Sequence, residues 1–133
     1  MTTITRQLAE FAADLEYYTL PDDVITRTKM LIFDVTGVIV RARNDAESTP
    51  SLISAMERLG LAAGDCSVLG DKQAYAPSAA AMVNGTLAHS LDFDDTHAAG
   101  SLHSSAPIVP AALAAAEMAG ASGKDLIAAC VAG

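Results

Sequence analysis

Two alanine-rich runs, residues 78–88 and 107–118, constrain this chain most, because small-residue segments of this kind form helices and are buried by packing helices closely. The rest of the composition agrees. Half the chain is apolar, at 51%, yet it holds three Phe, three Tyr and no Trp, so a core must be built from Ala, Leu, Ile, Val and Met. At 133 residues there is one ordinary domain, long enough to bury such a core. The expectation is an all-α fold: one bundle-like helical domain over residues 1–133.

Between the two runs the polar residues stop being spaced as a solvated face and become bunched. Asp92, Asp94, Asp95, Thr96 and His97 stand almost side by side, with His89 just before them and His103 beyond a short Gly/Ser loop. If the helix through residues 84–90 continues to Thr96, then His89, Asp92 and Thr96 fall at i, i+3 and i+7 and share one face, and Asp94 points elsewhere. A connection between two helices that carries Asp, Thr and His suits a general acid and a general base. Asp and His clusters also bind cations, but the spacing matches neither HExxH nor an EF-hand loop, so no metal is expected.

Charge and cysteine content narrow the remaining classes. Sixteen acids against eight bases give a net charge of −8, which opposes binding to nucleic acid or to an anionic membrane. Cys66 and Cys130 are too few for a disulfide framework. The N-terminus carries acids where a signal peptide has its apolar stretch, and the most apolar segment, residues 30–40, is too short to span a bilayer and contains Asp34. A cytoplasmic protein without cofactors is the expectation.

Taken in order, Ile4, Leu8, Phe11 and Leu15 recur at helical spacing, predicting a first helix that ends near Tyr17 and Tyr18. Pro21-Asp22-Asp23 starts a second, apolar to Val40, in which Gly37 predicts a close packing contact. Residues 44–48 read as a loop. Thr49-Pro50 opens a third helix with Leu52, Ile53, Met56 and Leu59 as its stripe and Gly60 at its end. Residues 64–75 read as irregular, with an extended piece at 67–69. Pro77 opens the fourth helix, Pro107 the fifth, which Gly120 closes, and Ser122-x-x-Asp125 is a capping box for the last. That last helix is apolar almost throughout, so the expectation is that either it is covered by something else or the polypeptide is part of something longer.

Over nearly its whole length the chain resembles the N-terminal part of the MmgE/PrpD family, which includes 2-methylcitrate dehydratase, cis-aconitate decarboxylase and iminodisuccinate epimerase. The resemblance rests on residues 29–37 (KMLIFDVTG), 80–89 (AAMVNGTLAH), 91–97 (LDFDDTH), His103, 110–114 (PAALA) and Glu117. It departs at Ser104, where the family usually has Pro. The resemblance implies an incomplete portion of a larger all-helical domain, and it places Asp92, Thr96 and His103 at positions that line the active site. The implied chemistry is metal-independent proton transfer on a small di- or tricarboxylic acid: dehydration, decarboxylation or epimerisation. His103 would be the general acid or base and Asp92 its partner, with Thr96, Asp95, His97 and His89 on the substrate side. No Lys or Arg occurs between Gln73 and Gly123. Each repulsion between a substrate carboxylate and one of these aspartates, about 4 kcal/mol at 4 Å in a medium of effective dielectric near 20, must therefore be offset by cations from elsewhere. Further polypeptide, a second copy or a second chain is the expected source. The contrasting expectation is a catalytically incomplete chain that acts as a binding partner or as one half of a split enzyme.

Overall fold

The computed structural model describes residues 2–133. Six α-helices and a two-stranded sheet account for the regular structure among these residues, in keeping with the all-α expectation. Helix α1, Ile4–Asp14, starts at Thr3, whose hydroxyl accepts the Arg6 amide, and it stops short of the tyrosines, which form a separate 3₁₀ turn at Tyr17–Thr19. Helix α2, Asp22–Asp45, follows Pro21 with two acids in its first turn, where the helix dipole favours them. It runs past Val40 because the inward positions continue: Thr28, Val35, Val38, Ile39 and Ala42 form one buried face. The expected loop shrinks to residues 46–48. Gly37 lies on the opposite face with nothing within 4 Å of where a Cβ would stand, so the close contact expected there is absent.

Helix α3, Thr49–Arg58, is tied to α2 by the buried Thr49 hydroxyl, which donates to the Ala42 carbonyl at 3.1 Å. Met56 is buried, whereas Leu59 sits past the last turn and is exposed, so the apolar stripe ends at Met56, three residues earlier than its spacing suggests. Gly60 follows at φ 71°, the left-handed conformation that closes a helix. The irregular stretch contains a minimal antiparallel pair, β1 (Cys66–Ser67) and β2 (Ala74–Tyr75), with Cys66 opposite Tyr75. Its anchor comes from helix α4, Pro77–His89: the buried Asn84 amide donates to the Ser67 carbonyl at 2.8 Å and accepts the Leu69 N–H at 2.9 Å.

Helices α4 and α5, Ser105–Ala119, form the main packing pair. A Cβ on Gly85 of α4 would stand 3.4 Å from the Ala106 carbonyl, so the small residues of both runs let the backbones approach. The core, with Ile39, Tyr75, Val83 and Leu87 among its largest members, lies between α2, α4 and the sheet. Gly120 ends α5 at φ 61°, and the Ser122–Asp125 capping box starts α6, Gly123–Ala132, which packs on α5, α2 and α1 with Ile127 buried. No helix among the described residues is long and apolar enough to cross a membrane.

A polar cluster joins α2 to the sheet. Asp71 accepts from Arg43 at 2.9 Å, from the Tyr75 hydroxyl at 3.0 Å and from the Gln73 amide at 3.1 Å. Burial pushes the Asp71 carboxyl up, but these hydrogen bonds outweigh it and hold the group below its ordinary value. A carboxylate with a lowered folded pKa contributes stability that is present above its unfolded pKa, about 3.9, and is lost as pH falls through the folded value. The urea midpoint should therefore fall below about pH 4, and Asp71→Asn should flatten that fall while costing about 1.5–3 kcal/mol at neutral pH. An equally steep acid limb in the variant would mean that other groups set it.

Candidate active site

The site is made where α4 ends. Helix α4 stops at His89 instead of continuing to Thr96, and the Asp92 amide donates back to the His89 carbonyl at 3.0 Å while Asp92 itself adopts φ 57°. Aspartate tolerates the left-handed region better than most residues. This turn overturns the expected shared face of His89, Asp92 and Thr96, and it reverses the fate of Asp94. Instead of pointing away, Asp94 turns inward beneath the ends of α4 and α5, and its side chain is 0% exposed.

Two histidines meet over that carboxylate. His89 Nδ1 lies 3.0 Å from Asp94 Oδ2 and 3.2 Å from Oδ1. His103 Nδ1 lies 3.3 Å from Oδ2, close enough for charge pairing but misaligned for a hydrogen bond, so this buried nitrogen has no hydrogen-bond partner among the described residues. The two rings pack edge to face with centroids 4.8 Å apart. A carboxylate can only accept, so the geometry suits a His89 ring protonated on Nδ1, and a ring in that tautomer keeps its lone pair on Nε2. A misaligned contact of this kind can tighten when substrate arrives. Asp92 joins the group from the surface: His89, Asp92, Asp94 and His103 each offer an atom within 4.8 Å of the others. These two nitrogens and two carboxylates are also a donor set that a divalent cation could use. The Nδ1 protons facing Asp94 and a metal ion are alternative uses of the same atoms.

His89 and His103 line a groove of about 770 Å³ between α4 and α5, with Met82, Thr86, Ala106 and Pro107 among its walls. Among the described residues, no lysine or arginine lines it. The remaining sequence-predicted residues lie elsewhere. Asp95, Thr96 and His97 line a second cavity of about 330 Å³, together with Ser104, Ser105 and Arg27 of α2. Asp95 accepts the Ser105 amide at 3.1 Å, placing its charge at the N-terminus of α5, where the dipole favours it. His97 closes its own loop: its Nδ1 accepts the Gly100 amide at 2.9 Å, and its backbone pairs with Leu102. A side chain on Gly100 would meet that ring at 2.8 Å. The expectation that every cation comes from other polypeptide fails at this cavity, since α2 brings Arg27 to it.

Asp94 is the residue that the sequence reading leaves off its candidate site. The available signal was His89 itself, a basic residue placed to end a helix and followed by Ser90, which would have freed the aspartates from helical spacing. Cysteine chemistry is disfavoured. Burial, reinforced at Cys66 by Glu117 and Asp65, pushes both thiols up and away from the reactive thiolate form.

The MmgE/PrpD N-terminal domain family matches residues 6–133. The chain is 33% identical over 117 residues to the cis-aconitate decarboxylase-like protein oryM of Aspergillus oryzae, covering 86% of this chain and 23% of that protein. It is 32% identical over 125 residues to the cis-aconitate decarboxylase of Aspergillus terreus, covering 92% of this chain and 25% of the relative. The chain thus spans about a quarter of the length of the curated relatives it matches. With a family match that takes in all but the first five residues, this chain belongs to the MmgE/PrpD family.

Proposed function

We propose that this segment forms the proton-handling wall of a lyase or isomerase pocket for a small di- or tricarboxylic acid. The observation that carries the reading is the buried Asp94 carboxylate with His89 and His103 held against it at the mouth of a groove. His103 moves the proton at a carbon next to a substrate carboxylate, by metal-independent acid–base chemistry. Asp92 sits beside it to share or steer that proton. Asp94 and His89 set the orientation and tautomer of the ring pair. Thr96, Asp95 and His97, with Arg27 behind them, border a second cavity on the other side of the first turn of α5, where a substrate carboxylate can be received.

The names of the relatives favour decarboxylation of a cis-aconitate-like tricarboxylate over dehydration or epimerisation. The first groove has no cation of its own, so further polypeptide completes it. The test is to incubate a complete polypeptide carrying this segment with cis-aconitate, 2-methylcitrate and related acids, following carbon dioxide release, water loss and solvent deuterium uptake separately. Carbon dioxide from cis-aconitate is expected. Absence of all three signals across the panel would defeat the reading.

A further inference from the structure

Asp94 carries a charge that the fold leaves thinly compensated. Its side chain is fully buried, yet among the described residues it accepts from no backbone amide, lysine or arginine, and its only hydrogen-bond partner is His89. A buried carboxylate is ordinarily paired, hydrogen-bonded several times over or bound to a metal ion. The other atom beside it, His103 Nδ1, is a buried nitrogen that makes no hydrogen bond. One cation between the two would satisfy both.

The spacing suits such an ion. Ligand atoms at zinc-class bond lengths around a tetrahedral ion stand about 3.3–3.5 Å from one another. His89 Nδ1 and His103 Nδ1 lie 3.0 Å and 3.3 Å from Asp94 Oδ2, and Asp92 offers a fourth atom within the 4.8 Å that contains the set. Asp92 is exposed on the turn after α4, so rotation of its side chain closes the remaining distance. That turn assembles the set, which therefore matches no linear ligand spacing. Two carboxylates balance a divalent charge, and two imidazoles select a transition ion over magnesium or calcium, which take oxygen ligands. With no Lys or Arg between Gln73 and Gly123, no cationic side chain of this stretch competes for the aspartates. The other soft donors are engaged or unsuited: His97 Nδ1 accepts the Gly100 amide, and burial keeps both thiols from the thiolate form that binds metals.

We propose that His89, His103, Asp94 and Asp92 bind one divalent transition cation of the zinc class, and that this cation inhibits the site and takes no part in its chemistry. A neutral ring that coordinates through Nδ1 holds its proton on Nε2, so both rings lose the Nε2 lone pair that a base needs. The inhibitory half rests on the acid–base reading of His103 given above; the binding half does not.

Titration of the metal-free chain with Co²⁺ and Zn²⁺ tests this. One equivalent of Co²⁺ is expected to give the visible absorption of a four- or five-coordinate ion, without the near-ultraviolet band of thiolate ligation; Zn²⁺ should displace it and excess Mg²⁺ should not. His89→Ala, at an exposed position, and His103→Ala should each weaken binding roughly tenfold or more with the helical circular dichroism unchanged, whereas His97→Ala should leave binding as it is. Nitrogen-15 shifts in the Zn²⁺ complex should move at Nδ1 of His89 and His103 and not at Nδ1 of His97. Failure to bind, binding indifferent to both His89→Ala and His103→Ala, or a thiolate band overturns the site whatever the activity assay gives. In a complete polypeptide carrying this segment, one equivalent of Zn²⁺ should abolish turnover and a chelator should restore it. Zinc that occupies the pair and leaves turnover unchanged overturns the inhibitory half, and with it the acid–base role of His103, while the cation site stands.

Discussion

Replacing His103 with alanine in a complete MmgE/PrpD polypeptide carrying this segment is expected to lower kcat by about a hundred- to ten-thousandfold, the usual contribution of a positioned general acid or base. The helical circular-dichroism spectrum should stay as it is. His103 precedes α5 instead of lying inside it, and its side chain is about one-third exposed. Truncation there removes an imidazole ring at the mouth of the groove without opening a cavity in the packed core. Its Nδ1 is buried against Asp94 and without a good hydrogen bond, a polar atom held in readiness in place of one satisfied by the fold. Steady-state kinetics and solvent deuterium uptake should fall together, because both need the same proton transfer. A variant that keeps its turnover would take His103 out of the chemistry and leave it a role in closing the groove.

The helices were largely legible in the sequence, because each is punctuated by residues with one clear use. Gly60 and Gly120 adopt the left-handed conformation after α3 and α5, Pro77 opens α4, and Ser122 with Asp125 caps α6. Two kinds of feature were hidden. The β1–β2 pair is too short to show any alternation, and it is held by Asn84, a side chain 17 residues away from the Ser67 carbonyl it binds. The end of α4 carries no glycine, and the chain turns at Asp92, whose positive φ leaves no mark in a sequence. That single turn decides which aspartate is buried. Periodicity alone carried the helix on to Thr96, and it therefore joined His89 with Asp92 and Thr96 and left out Asp94.

The sharpest consequence of that turn concerns Asp94→Asn, which keeps the shape of the side chain and removes half its accepting capacity. As a carboxylate, Asp94 can face two Nδ1 protons at once, His89 through both oxygens and His103 through Oδ2. An asparagine replaces one of these oxygens by an NH2 group, which at either position stands against the Nδ1 of His89 and at Oδ2 against that of His103 as well, so at least one ring is set against a donor, and such a ring accepts through Nδ1 and carries its proton on Nε2. The ring so affected can no longer act as a base through Nε2. In serine-protease triads the same replacement drops kcat about 10⁴-fold through the wrong tautomer, and a loss approaching that size is expected here, with KM changed far less than kcat. Nitrogen-15 shifts of the histidines provide a reading that packing alone would not move: Nδ1-protonated rings in the parent and at least one Nε2-protonated ring in the variant. If both rings kept their tautomers while kcat fell, the carboxylate would be acting through its charge and not through orientation. If kcat also stayed level, Asp94 would be filling space beneath two histidines whose chemistry lies elsewhere.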